Sequence, residues 1–216
     1  MALPRVITML LHCTSKDYRM SNMLGGINFD RKRNLMMASD GQGAVILHNT
    51  AESVESYLET LAEAKGITDI PDGDTEVNIV NGYGNTADGK RGEFRWKIGE
   101  TFPNLFRVLP IGEHTDKPVT AVYDAKRFDP LFRSFKHWSG HDIKLNVSNG
   151  DREGPLMQYG KVGNWEYVLS VMPVHSTHYD LGDTLPENFA VVRGVPDPDM
   201  AIANRFIEIV NEPHSI

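Results

Sequence analysis

His175, His178 and Asp180 stand close together, and imidazole and carboxylate groups are the ligands of zinc and manganese centres. Asp72, Asp74 and Glu76 space carboxylates as a calcium loop does, but the central glycine and terminal glutamate of such a loop are missing. Gly82, Gly84 and Gly89 have the wrong spacing for a phosphate loop and no helical pattern follows them, so a hairpin tip over 81–85 is expected. Cys13 is the only cysteine. A single thiol excludes an internal disulfide and a cysteine-built zinc site, and Cys13 is expected to be a small core residue rather than a nucleophile. Nucleophile-elbow, kinase, P-loop and zinc-protease signatures are all missing from the sequence. The expectation is a protein that is not an enzyme and has no metal or cofactor. A small metal-dependent enzyme built on His175, His178 and Asp180 stays open as an alternative.

The elements that carry these residues follow from periodicity. Leu3, Val6, Ile7, Leu10 and Leu11 form one helical stripe, and Arg5, Thr8, His12 and Lys16 fall on the opposite side. Residues 22–47 change period: Leu24, Ile27 and Phe29, then Leu35 to Met37, then Ala44 to Leu47 predict strands joined by the charged turn 30–34 and the Asp40-Gly41 turn. Thr50 can cap a helix over 51–65 whose buried stripe is Val54, Tyr57, Leu58 and Leu61, with Glu52, Glu55, Glu59 and Glu63 outside. Residues 67–75 read as a loop. Glu76–Val80 and Glu93–Ile98 read as a strand pair, and Val119–Tyr123 as a short strand. Phe128, Leu131, Phe132 and Phe135 return to helical spacing, backed by Lys126, Arg133, Lys136 and His137. Ile143–Val147 alternates, and Trp165–Val174 is a strong apolar strand. A last helix is expected after Asp197-Pro198, with Met200, Ala203, Phe206, Ile207 and Val210 inward. Helices and antiparallel strands in alternation predict the α+β class.

In bulk, the 216 residues allow one or two domains, and 40% hydrophobic with 24% charged residues is the balance of a globular chain. The formal net charge of -7 speaks against a uniformly basic nucleic-acid binder but not against cations gathered on one face. No apolar run approaches the length of a membrane span, and no cleavage pattern follows the first eleven or so residues. A cytoplasmic location is therefore expected. No internal repeat or low-complexity segment is visible.

Three segments together resemble the bacterial-type DNA polymerase sliding clamp, the β subunit of the replicase. The first is Leu24-Gly25-Gly26-Ile27 with Ala38-Ser39-Asp40-Gly41, against the family's Leu-Asn-Gly-Val and Ala-Thr-Asp-Gly-His-Arg-Leu. The second is Phe102-Pro103-Asn104-Leu105-Phe106-Arg107-Val108-Leu109-Pro110, against Phe-Pro-Asp-Tyr-Arg-Arg-Val-Ile-Pro. The third is Tyr167 to Val174, against a final strand ending Met-Pro-Met-Arg. They occur in the family's order over roughly residues 1–175. Gln42, Gly43 and Ala44 replace the family's His-Arg-Leu, and His175 its last arginine.

The resemblance implies a DNA-clamp-like fold of antiparallel sheets with channel-facing helices. Family members have three domains per chain, and this chain has room for two, at 1–111 and 112–216. The function implied is that of a processivity factor encircling duplex DNA, with Arg5, Lys16, Lys126, Arg133 and Lys136 facing the duplex. The resemblance also implies a hydrophobic pocket that takes short linear peptides of a DNA polymerase and a clamp loader. Leu24, Ser39, Gly41, Pro103, Arg107, Val108, Val171, Met172, Pro173 and Val174 match its positions. Two domains per chain would close the ring as a homotrimer. A relative that no longer encircles DNA and acts as a decoy or adaptor is the other reading of the same likeness.

Overall fold

Alternation along the strands sets the architecture. In a computed structural model, which describes residues 2–17, 19–85, 91–105, 125–140, 146–147, 156–172 and 200–211, the chain forms an eight-stranded antiparallel sheet. The strands are β1 (Gly26–Asp30), β2 (Leu35–Ser39), β3 (Gly43–Asn49), β4 (Val77–Asn85), β5 (Arg91–Ile98), β6 (Asn146–Val147), β7 (Leu156–Val162) and β8 (Trp165–Val171). Their order is β5-β4-β1-β2-β3-β8-β7-β6. The helices are α1 (Arg5–His12), α2 (Ser21–Leu24), α3 (Glu55–Lys65), α4 (Ala125–Ser139) and α5 (Met200–Asn211). The α+β class expected from the sequence is the class observed.

Both faces of the sheet are covered, which is why β1, β2 and β8 are buried along their whole length, including the polar Asn28, Asp30, Glu166 and Ser170. On the first face, Ile27, Phe29, Met36, Ala38, Val45, Leu47, Tyr167, Leu169 and Val171 pack under α1, α3 and α4. On the second face, the alternate residues Leu35, Met37, Ala44, Ile46 and Val168 pack under Leu24 of α2, Phe102 and Leu105, and under Ile202 and Phe206 of α5. The β3–β8 ladder runs in register from Gly43↔Val171 to Asn49↔Trp165. The sheet is therefore continuous between strands drawn from 1–111 and from 112–216.

Several expected elements shift. The helix expected from residue 51 begins at Glu55. Asn49 Oδ1 accepts the N–H groups of Ala51 and Glu52, and Asn34 Oδ1 accepts that of Val54. Side-chain turns thus take the donors that a helix would have used. Asn34 sits in the left-handed region at φ 57, as asparagine tolerates, and its Nδ2 donates to the carbonyls of Asn49 and Glu52. Thr50 does not cap; its hydroxyl donates to Asn164 O. Residues 81–85 are not a hairpin tip but the end of β4, paired with β5. In α5 the buried residues are Ile202 and Phe206, and Ile202 was not among those expected inward. Of Met200, Ala203, Ile207 and Val210 no side chain is described, and Val119–Tyr123 lies outside the described residues.

Candidate partner-peptide pocket and basic helical face

The Ser39–Gly43 turn is built by its own side chains. Asp40 Oδ1 accepts the N–H groups of Gln42 and Gly43, both at 2.8 Å. The Ser39 hydroxyl donates to Gly43 O at 2.7 Å and accepts the Gly41 N–H at 3.0 Å. Gly41 has φ +87, a conformation that favours glycine. A methyl group there would touch Leu24 Cδ1 and Met20 Cε, each at 3.5 Å, so the turn rests on these two side chains. The Met172 N–H donates to Gln42 O at 2.7 Å, which brings the end of β8 to the same place.

Leu24, Ser39, Gly41, Val171 and Met172 are thus gathered at one end of the sheet. Phe102 and Leu105 join the apolar cluster of Leu24, with Met20 and Met23 packed against it, and Pro103 is exposed between them. The side chains do not all share one surface. Leu24 lies in the second-face cluster, whereas Val171 is buried in the first-face core beneath α1 and α4. Strand alternation is the cause, since Leu169 and Val171 must point the same way. Val171 is therefore a core residue of the first face, and Leu24 and Ser39, only 2% and 4% exposed, are buried as well and present no surface to a peptide. Met172 is half-buried. Arg107, Val108, Pro173 and Val174 lie outside the described residues. Met20, beside Gly41, and Met23 pack against the Leu24 cluster as flexible apolar side chains.

On the first face α1 and α4 pack against each other, and both pack on the sheet. Leu131 of α4 approaches Gly43 so closely that a methyl group on Gly43 would stand 3.0 Å from Leu131 Cδ2. Arg5 on α1, Lys16 just beyond it, and Arg133 and Lys136 on α4 are all exposed. The side chain of Lys126 is not among those described. α3 lies on the same face of the sheet, with Glu59 and Glu63 exposed.

The candidates for chemistry separate. Burial, with a smaller push from the Asp40 charge, drives the Cys13 thiol far above its ordinary range, so it is not a thiolate nucleophile. Asp72 and Asp74 are exposed, and Glu76 turns away to accept a hydrogen bond from Asn28 Nδ2. Among the described residues, no three His, Cys, Asp or Glu side chains gather as a metal set. His175, His178 and Asp180 lie outside the described residues.

Sequence reasoning missed one charged cluster. Glu166 of β8 is only 2% exposed and meets Arg205 of α5 and, at 3.3 Å, His48 Nδ1 of β3. Phe206 packs edge-on to the His48 ring. The signal was present: Glu166 is the one charge inside Trp165-Glu166-Tyr167-Val168-Leu169, and a buried carboxylate needs partners. Finding Arg205 needed the fold, since the two are far apart in the chain.

No family model matches this chain, and no curated protein or solved structure matches it either.

Proposed function

We propose that this chain is a sliding-clamp-like processivity factor that surrounds duplex DNA and tethers partners through short apolar peptides. The observation that carries this reading is the pairing of α1 and α4 on one face of a continuous antiparallel sheet, with Arg5, Lys16, Arg133 and Lys136 exposed on them or beside them. Such a layer can slide along phosphates without reading bases. The exposed Gly41 and Pro103 and the half-buried Met172 near the buried Leu24 support the peptide site. The partners are a DNA polymerase and a clamp loader. The chain acts as two clamp-like domains, 1–111 and 112–216, and three chains close the ring head-to-tail by a threefold rotation.

The test is duplex binding followed by fluorescence anisotropy as salt is raised. Charge reversal at Arg133 and Lys136 is expected to weaken binding and to reduce the salt slope by about 1 for each phosphate that is no longer neutralised. An unchanged slope removes these helices from the DNA path. A second reading, a decoy or adaptor that binds clamp partners without encircling DNA, is favoured by the exposed Glu59 and Glu63 of α3 on the same sheet face. Loss of DNA binding with peptide binding intact would select it.

A further inference from the structure

Three rungs of the second face lie side by side on β3, β8 and β7. They are Ala44–Ser170–Met157, Ile46–Val168–Tyr159 and His48–Glu166–Lys161. The first two are mainly apolar and the third is charged. α5 lies over them. Its Ile202 and Phe206 are only 4% and 2% exposed, and Ile209 is half-buried against the same cluster. Ala201, Asn204, Arg205 and Glu208 are exposed. Ile202, Arg205, Phe206 and Ile209 stand at i, i+3, i+4 and i+7, the anchor spacing of an amphipathic helix seated in a groove.

The groove makes one demand that apolar packing does not meet. Glu166 is 2% exposed on its floor. His48 Nδ1 lies 3.3 Å from Glu166 Oε2 on the neighbouring strand, and Arg205 Nη1 donates to Oε1 from α5. Lys161, opposite Glu166 on β7, is exposed. An occupant of the groove must therefore bring a cation to Oε1 or cover a carboxylate that is only partly satisfied. A wholly apolar helix is penalised, so the carboxylate selects among helices.

α5 is also the kind of element that opens by itself. The β3–β8 and β7–β8 ladders are complete without it, and residues 172–199 join it to β8. Its described anchors are two buried side chains, one half-buried side chain and an arginine whose side chain is 45% exposed. Few buried contacts place an element at the low end of local stability. The departure of α5 bares the apolar rungs and breaks no strand pairing.

We propose that the β3–β8–β7 face under α5 is a helix-docking groove that α5 holds closed from within the chain. The partner it fits is an amphipathic helix with apolar side chains at i, i+4 and i+7 and a cation at i+3. α5 and the partner compete for one surface. The partner's apparent affinity is its intrinsic affinity reduced by the fraction of chains from which α5 is away. Whatever loosens α5 raises that fraction and admits the partner. The inference does not rest on the DNA reading.

The experiment is fluorescence anisotropy of a labelled peptide of the α5 sequence, residues 200–211, titrated with the full chain and with its Arg205→Ala variant. A second peptide carries the same Arg205→Ala change. The arginine peptide is expected to bind the variant at least about fivefold tighter than the parent chain, because the resident helix has lost its ion pair. The alanine peptide is expected to bind the variant at least about fivefold more weakly than the arginine peptide. Adding Glu166→Gln to the variant is expected to abolish the difference between the two peptides. In the parent chain, amide hydrogen exchange is expected to be faster in α5 than in β3 and β8. Equal affinity of the arginine peptide for parent and variant, no saturable binding to either, no preference for the arginine peptide, or α5 amides as slow as those of β3 would overturn the groove.

Discussion

The backbone N–H of Met172 donates to the carbonyl of Gln42 at 2.7 Å, and this bond closes the β3–β8 ladder at the end where Leu24 and Gly41 meet. Only the Met172 backbone is used, so its side chain can change without breaking the sheet. Met172→Glu is therefore expected to keep the fold, with a Tm within a few degrees of the parent. The same variant is expected to lose binding of a glutamine-and-leucine clamp-type peptide, read by fluorescence anisotropy. Unchanged affinity would place the peptide elsewhere.

Cys13 caps the C-terminal end of α1 and is buried, with its Sγ donating to Met9 O at 3.3 Å. Burial keeps it a thiol at any ordinary pH. A thiol-specific chromogenic reagent at pH 8 is expected to leave the folded chain untouched and to label one thiol per chain in denaturant. Rapid labelling of the folded chain would mean that α1 leaves the sheet readily.

Arg205 holds α5 to the sheet through Glu166. Arg205→Ala leaves a 2% exposed carboxylate with, among the described residues, His48. Because the Arg205 side chain is itself 45% exposed, the expected loss lies below that of a fully buried pair, at about 1–3 kcal/mol in urea unfolding. Adding Glu166→Gln to Arg205→Ala is expected to recover part of it. A loss no greater than that of an ordinary surface substitution would show that the pair contributes nothing to holding α5.

Burial on the second face pushes the Tyr159 phenol up to about 12. Its proton is bound more tightly in the folded chain than in the unfolded chain. The stability tied to it is complete below pH 10 and is lost as pH rises from about 10 to about 12. Tyr159→Phe is expected to flatten the alkaline limb of the stability curve by about 2–3 kcal/mol, measured by urea unfolding across that range. An alkaline limb identical in both proteins would mean that Tyr159 ionises as readily folded as unfolded.

Periodicity located the elements that carry their own signal. The stripe of Val6, Ile7 and Leu10, the run Leu35 to Met37, the apolar strand from Trp165 and the spacing of Leu131 and Phe135 all lie where the sequence places them. The start of α3 was not legible, because Asn34 and Asn49 decide it from outside the helix. Of the residues expected in a pocket, Leu24, Ser39, Gly41, Val171 and Met172 come to one end of the sheet, but Leu24, Ser39 and Val171 are buried there. The β3–β8 pairing brings Val171 and Met172 to the Gly41 turn, and which face each side chain takes depends on strand register. The Glu166–Arg205 ion pair needed a pairing between distant segments, which composition and spacing do not contain.

The proposed clamp would retain DNA by topology alone, so the proposal depends on a closed ring. Multi-angle light scattering of the full chain at micromolar concentration measures it directly. The account predicts a particle of three times the 24.2 kDa chain mass, closed head-to-tail. A strict single-chain mass under the same conditions would contradict the processivity-factor reading and leave the adaptor in its place.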